Sequence, residues 1–363
     1  MTDTRGPWNQ HGGLTLIPLR GYEKSAERLK AAIEAQSQRD DSLSTPVDIA
    51  RPTFGTYANG EPDIQLDKKH VGGHDCVILT SGPGTIQMIS DLMWTLAFVA
   101  ARRASRVMVV TGYFPLGRSD KDEGHLRLTT PPMLVGMMKA VATLPSGTPV
   151  LDRIVCADPH SPQITMAGGS GFVTPIILSR RLLSPIVTEA QALNPRICLA
   201  FPDDGAAKRF ESAILRISQD LGIEIPMVYG IKRRDIRTGK SQLIAMYGDL
   251  EALPGSVVIM LDDEIATGGS VIDMGRMLKD TYRAHTVWAG VTHGVFAGSA
   301  VERFMAEDSP VQRLITMDTI GAHNRPELVP MLERGLLQTH SWEPDLARVI
   351  YHHHWNENIR EVR

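Results

Sequence analysis

The run Val257-Val258-Ile259-Met260-Leu261-Asp262-Asp263-Glu264-Ile265-Ala266-Thr267-Gly268-Gly269-Ser270 brings two adjacent carboxylates and a glycine-rich turn to the end of an apolar strand. Carboxylate oxygens only accept hydrogen bonds, so Asp262 and Asp263 suit the vicinal hydroxyls of a sugar. Thr267-Gly268-Gly269-Ser270 offers backbone N–H groups and two hydroxyls, a cradle for phosphate. Helical periodicity from Val271 to Lys279 then puts that anion at a helix N-terminus, where unpaired donors and the helix dipole favour it. The plain alternative is a buried strand running into an ordinary glycine turn.

The rest of the chain supplies elements to hold such residues. Short β-rich runs (Val77–Leu79, Val107–Val110, Ile154–Cys156, Ile197–Phe201, Met227–Tyr229, Thr286–Val291, Gln312–Thr316) alternate with helical patterns such as Thr85–Arg103, Pro131–Thr143 and Ala206–Leu221. That alternation predicts α/β architecture: two tandem doubly wound parallel-sheet domains, with ligands at the carboxyl ends of strands. The small-residue hinge Ala167-Gly168-Gly169-Ser170-Gly171 sets the expected boundary, giving domains 1–170 and 171–363. Residues 1–12 read as disordered, Glu34 to Ser44 as a polar connection, and His352-His353-His354 as surface or interface.

With 363 residues, 42% hydrophobic and 22% charged, the chain has material for two proper cores. A formal net charge of −3 argues against nucleic-acid and membrane-surface roles. Cys76, Cys156 and Cys198 are odd in number and lie in apolar surroundings, the pattern of reduced core residues. No signal-peptide pattern opens the sequence, and the longest apolar stretch, Ile86 to Ala101, is interrupted by Ser90 and Asp91, so a cytoplasmic protein is expected.

The Asp262–Ser270 run resembles the phosphoribosyl-pyrophosphate (PRPP) loop shared by type I phosphoribosyltransferases and ribose-phosphate pyrophosphokinases, the PRPP synthetases. Four further blocks, in the same order, resemble the pyrophosphokinases specifically. Gly112-Tyr113-Phe114-Pro115-Leu116-Gly117-Arg118-Ser119-Asp120-Lys121 is similar to the nucleotide-contacting segment, Asp158-Pro159-His160 to a metal-binding Asp-Leu-His block, Phe201-Pro202-Asp203-Asp204-Gly205 to its Pro-Asp-x-Gly companion, and Ile231-Lys232-Arg233-Arg234-Asp235 to the start of a catalytic flexible loop. The resemblance implies a type I phosphoribosyltransferase fold and Mg²⁺-dependent transfer of pyrophosphate from ATP to ribose 5-phosphate, giving PRPP and AMP. It implies ribose phosphate on Asp262, Asp263, Ala266, Thr267, Gly268, Gly269 and Ser270, metal on His160 and Asp203, and ATP on Tyr57, Asn59, Glu61, Arg118, Ser119, Asp120 and Lys121. Lys232 and Arg234 would stabilise the transferring group, and the protein would be a homo-oligomer, dimer or hexamer.

Four positions depart from the family pattern. Tyr57-Ala58-Asn59-Gly60-Glu61 stands where a Phe-x-Asp-Gly-Glu pocket is usual, Ser119 replaces a Gln, and Ala266 replaces an Asp. Asn donates as well as accepts, which bears on base choice. Ala266 keeps open an acceptor other than ribose 5-phosphate, such as ADP-ribose. A PRPP-consuming phosphoribosyltransferase and a catalytically silent regulator of a true synthetase are the other readings; the nucleotide block and Lys232 weigh against them. Thr238-Gly239-Lys240-Ser241 is no P-loop, because Arg234 occupies the position of its first glycine.

Overall fold

The computed structural model describes residues 12–39, 44–68, 70–121, 126, 128–144, 146–234 and 241–359. Two compact units divide them. One holds the described residues up to Ile176 together with those from Trp342 onward; the other runs from Ile177 to Ser341.

The first unit contains β1 (Leu14–Pro18), β2 (Val47–Ile49), β3 (Pro52–Thr56), β4 (Pro62–Leu66), β5 (Asp75–Thr80), β6 (Arg106–Thr111), β7 (Leu151–Ala157) and β8 (Val173–Ile176). Six of these form one parallel sheet in the order β2-β1-β5-β6-β7-β8, while β3 and β4 make a separate antiparallel hairpin. Every residue of β1 and β5 is buried, as expected of parallel strands covered on both faces. The helices are α1 (Glu23–Arg39), α2 (Ile86–Ala101), α3 (Thr130–Val141) and α4 (Pro162–Met166), joined by the last helix of the chain.

The second unit begins with α5 (Ser179–Leu193) and contains β9 (Ile197–Phe201), α6 (Asp204–Leu221), β10 (Met227–Arg234), β11 (Ser241–Gly248), β12 (Val257–Ile265), α7 (Gly269–Arg276), β13 (Thr286–Gly294), α8 (Ala300–Met305), β14 (Arg313–Met317), α9 (Val329–Glu333) and β15 (Leu337–His340). Its sheet runs β11-β10-β9-β12-β13-β14-β15, parallel except for the β10–β11 pair. Both units therefore have the doubly wound α/β plan expected from the alternation of elements.

The division departs from the expected one at both ends. Gly169 (φ +93°) and Gly171 (φ +79°) form the turn into β8, which pairs with β7 inside the first sheet, so the hinge-like glycines lie before the true boundary. The last helix, α10 (Glu343–His354), packs on α1 in the first unit instead of closing the second. Arg28 Nε donates to Glu343 Oε1 at 2.9 Å, and Glu343 is buried. Arg106 grips both oxygens of Asp75 (2.9 and 2.6 Å), and His354 Nδ1 lies 2.7 Å from Asp75 Oδ2. His353 and His354 are consequently buried, against the surface reading of that triplet; packing on α1 and β5 outweighs their polarity. Helix α1 also continues through Glu34 to Arg39, where a polar connection was expected, because Ala26, Leu29 and Ile33 give it a buried stripe at helical spacing.

All three cysteines are free and buried. Burial pushes the thiols of Cys76 and Cys198 up to about 12 and that of Cys156 further, so they behave as core residues. Among the described residues no helix is long and apolar enough to cross a membrane.

Candidate sugar-phosphate site

The strand order of the second unit reverses between β9 and β12, and in such sheets ligands bind where the carboxyl ends of those two strands part. Two of the sequence blocks lie at that crevice. Pro202 and Asp203 follow β9, and Asp262 and Asp263 lie in the last turn of pairing of β12. Asp203 caps α6: its Oδ1 accepts from the Ala206 N–H at 3.1 Å. Its Oδ2 accepts from Lys232 Nζ at 3.0 Å, which brings the basic block on β10 to the same place. Burial pushes the Asp203 carboxyl up, but Lys232 and the N–H groups of Ala206 and Gly205 outweigh it and hold the group below the ordinary value.

The acidic pair is more deeply set than a strand-end reading implies. Pairing of β12 with β13 continues past Leu261 through Asp262↔Val291 and Glu264↔His293 to Ile265↔Gly294, so the carboxylates are strand residues and Asp263 is only 6% exposed. Arg209, reaching from α6, forms an ion pair with Asp263. Asp262 Oδ1 accepts the Asp263 N–H at 2.9 Å, yet burial first, then the neighbouring Asp263 charge, push the Asp262 carboxyl up to about 8. Ionising it costs free energy until a cation or a set of donors arrives.

Beyond Ile265 the chain turns through Ala266, Thr267 and Gly268 into α7. Gly268 has φ +75° and precedes the helix with no side-chain cap. A Cβ there would lie 2.6 Å from the Phe304 ring, so both the backbone and the space require glycine. Thr267 and Ser270 are exposed, and the first N–H groups of α7 follow them, as a phosphate cradle needs.

The remaining expected site residues lie in the first unit. The nucleotide block follows β6 and His160 follows β7; these strands are neighbours, and the Ala157 N–H donates to Gly112 O at 3.2 Å. Arg118 and Lys121 are exposed, whereas Ser119 ties its loop to the start of α3 through Leu128 O at 2.8 Å. Tyr57, Asn59 and Glu61 form the exposed tip of the β3–β4 hairpin. The hydroxyl of Tyr57 donates to Asp63 at 3.2 Å, and Asn59 Oδ1 accepts the Glu61 N–H at 3.1 Å, so these side chains stabilise their own turn. Of Arg234 only the strand backbone is described, and residues 235–240 lie outside the described residues.

Sequence reading missed Arg209 and the α8 residues Arg303 and Phe304, which meet the acidic pair and the loop from other elements. Their only sequence signal was helical position. A cavity of about 840 Å³ runs along α6 beside Tyr229 and Tyr247. Its carboxylates Asp204, Glu211, Glu224 and Asp249, against Lys208, make it unsuited to a polyphosphate. Among the described residues no group of three or more His, Cys, Asp or Glu side chains could hold a metal alone.

No family model matches the sequence. The ribose-phosphate pyrophosphokinase of Hyphomonas neptunium is 32% identical over 279 residues, covering 75% of this chain and 80% of the relative. The chain belongs to the ribose-phosphate pyrophosphokinase family. A relative of the same name from Rhodopirellula baltica is 26% identical over 321 residues, 86% of this chain and 90% of its own length. The crystal structure of the phosphoribosylpyrophosphate synthetase from Mycobacterium smegmatis matches with a TM-score of 0.69 and 21% identity, over 95% of this chain and 99% of that one. This likeness carries the fold, the type I phosphoribosyltransferase kind. As a ribose-phosphate pyrophosphokinase family member, the chain is an enzyme of the transferase class.

Proposed function

We propose that the protein transfers pyrophosphate from ATP to the anomeric hydroxyl of ribose 5-phosphate, giving PRPP and AMP. The observation that carries the reading is the meeting of Lys232, Asp203, the Asp262–Asp263 pair and the Gly268 turn at one switch point. The anomeric oxygen forms a bond to the β-phosphorus, the bond from that phosphorus to the α,β-bridging oxygen breaks, AMP leaves with that oxygen, and the hydroxyl proton passes to solvent. Such a transfer depends on positioning and charge neutralisation more than on covalent help.

In this reading Asp262 and Asp263 accept the ribose hydroxyls, and Thr267, Gly268, Gly269 and Ser270 hold the 5-phosphate. Donation from those hydroxyls compensates the buried charge that Asp262 otherwise resists. Lys232 and Arg234 stabilise charge developing on the transferring phosphoryl oxygens. Arg118, Lys121 and the Tyr57–Glu61 hairpin bind the nucleotide. Asp203 retains acceptor capacity beside its bonds to Ala206 and Lys232, which fits it to a magnesium ion whose other ligands are water and phosphate oxygens; His160 is the candidate metal ligand of the first unit. Bound there, magnesium would neutralise the polyphosphate. A cytoplasmic homo-oligomer completes the proposal.

The test is incubation with Mg²⁺-ATP and a panel of ribose 5-phosphate, ADP-ribose and nucleobase-plus-PRPP mixtures, with products identified by mass. PRPP and AMP from the first support the reading. A pyrophosphorylated ADP-ribose, a nucleotide, or no product at all would each replace it with one of its rivals.

A further inference from the structure

The loop that would take the 5-phosphate has a charge problem. Thr267 to Ser270 carries no cationic side chain, and the nearest charged residues before it in sequence are the acids Asp262, Asp263 and Glu264. Arg276, at the other end of α7, is paired with Asp308 at 2.9 Å. A dianion brought to this turn would meet backbone N–H groups and hydroxyls but no positive charge from the loop itself.

Arg303 stands where a compensating charge is needed. Its Nη1 donates to the Thr267 carbonyl at 2.9 Å, and lies 3.2 Å from where a Cβ on Gly269 would sit. The point that measures this closeness is also 4.0 Å from Thr267 Oγ1, one of the two hydroxyls of the cradle. Next to Arg303 on α8, Phe304 packs under Gly268, so two consecutive residues fix the height and the tilt of the turn. The side chain is exposed, and among the described residues it has no carboxylate partner; its Nε and Nη2 donors have no described partner either. A guanidinium held by one nitrogen, with its remaining donors open, is suited to bidentate recognition of a phosphate.

We propose that Arg303 is a binding residue of this site: it braces the turn through the Thr267 carbonyl and supplies the positive charge that holds the 5-phosphate of the sugar. This rests on the ribose 5-phosphate reading for the identity of the sugar, though not for the binding of an anion. Discrimination between phosphorylated and unphosphorylated acceptors then depends on a residue outside the loop.

Calorimetric titration of wild type, Arg303→Gln and Arg303→Lys with ribose 5-phosphate, Mg²⁺-ATP and inorganic phosphate tests it. Arg303→Gln is expected to raise Kd for ribose 5-phosphate about ten- to a hundredfold, the range for a lost charged hydrogen bond. Its KM for that substrate rises in step and by more than kcat falls, the Kd for Mg²⁺-ATP stays as in wild type, and Arg303→Lys recovers most of the affinity. Unchanged ribose 5-phosphate affinity in Arg303→Gln, with wild type making PRPP, overturns the assignment and leaves the functional reading intact. Equal losses in the Gln and Lys variants, with a lowered Tm in both, also overturn it, since only the brace would then matter. If wild type rejects ribose 5-phosphate yet binds inorganic phosphate in a way that Arg303→Gln abolishes, the functional reading falls and the assignment of Arg303 as an anion-binding residue stands.

Discussion

The two units share a doubly wound sheet but furnish its switch point in opposite ways. In the first unit the order reverses between β1 and β5, and Arg20, just after β1, is closed on its own surroundings. Its Nε donates to Asp91 at 2.7 Å, its guanidinium lies 4.8 Å from the centre of the Phe54 ring, and Gln87 gives Asp91 a second donor at 2.6 Å. In the second unit three carboxylates, Asp203, Asp262 and Asp263, face the cations Lys232 and Arg209, and Asp262 is pushed up to about 8. One crevice is balanced by its own side chains; the other becomes comfortable only when something binds. A site is marked less by its fold than by charge that the fold leaves uncompensated.

The strongest way to break this contrast is Lys232→Ala. If the lysine stabilises charge that appears only during transfer, kcat falls by about 3–4 kcal/mol, or roughly two to three orders of magnitude, with smaller changes in either KM. Steady-state kinetics at saturating Mg²⁺-ATP measure it, and near-wild-type turnover would sink the assignment. The matching experiment in the first unit addresses stability alone. Asp75→Asn takes the anion from Arg106 and His354 in a buried cluster and is expected to cost about 3 kcal/mol in denaturant unfolding. Burial raises the Asp75 carboxyl, but His354 and Arg106 more than reverse this, so its folded pKa lies below the 3.8 of an unperturbed Asp. Its stabilisation is therefore full above that value and is lost as the pH drops below it. A wild-type-like acid limb in Asp75→Asn would show that the cluster does not anchor α10.

Asp262 carries the opposite sign. Its folded pKa is raised to about 8 from 3.8, so between these values the folded state holds a proton that the unfolded chain has lost, and stability falls as the pH rises. Asp262→Asn should flatten that slope and leave the ligand-free protein as stable as wild type or more so near neutrality, while sugar-phosphate binding weakens by about 1–3 kcal/mol. Asp263→Asn should weaken binding by a similar amount but give no such relief, because it breaks the ion pair with Arg209. Thermal unfolding across pH with calorimetry of ribose 5-phosphate separates the pair; identical behaviour of the two variants would mean that Asp262 and Asp263 are equivalent and the asymmetry drawn from Arg209 is wrong.

How legible these features were depends on the distance over which each is encoded. The turn at Gly268 is written in four or five consecutive residues, so strand, turn and helix start could be read directly, whereas the cap that Asp203 places on α6 was not read. Arg303 meets Thr267 across 36 positions, and Arg209 meets Asp263 from another helix; nothing local distinguishes them from solvent-facing arginines. The return of α10 to the first unit was unreadable for the same reason, since Glu343 finds Arg28 across 315 positions. The glycines at 168–171 misled because a tight turn inside a domain and a hinge between domains use the same residue type.

The smallest expected effect concerns the β3–β4 hairpin, where sequence reading gave Asn59 a part in choosing the base. The structure assigns its side-chain oxygen to the Glu61 N–H at 3.1 Å, while Gly60 donates to Tyr57 O and Tyr57 to Glu61 O within the same turn. An Asp at this position would accept the same hydrogen bond without moving the backbone, because the contact uses only the acceptor that Asn and Asp share. The exchange adds a charge to an exposed tip, where it is well screened. Asn59→Asp should therefore change the ratio of kcat/KM for ATP over GTP by less than about threefold, under 1 kcal/mol. Discrimination against GTP in wild type should itself be modest, since a site rejects a wrong base strongly only when buried polar groups are left unmatched, and this tip is exposed. A donor panel of ATP, dATP, GTP and CTP run on both proteins gives the ratios. A tenfold or larger gain in ATP preference on Asn59→Asp would mean that this side chain leaves its turn to meet the base.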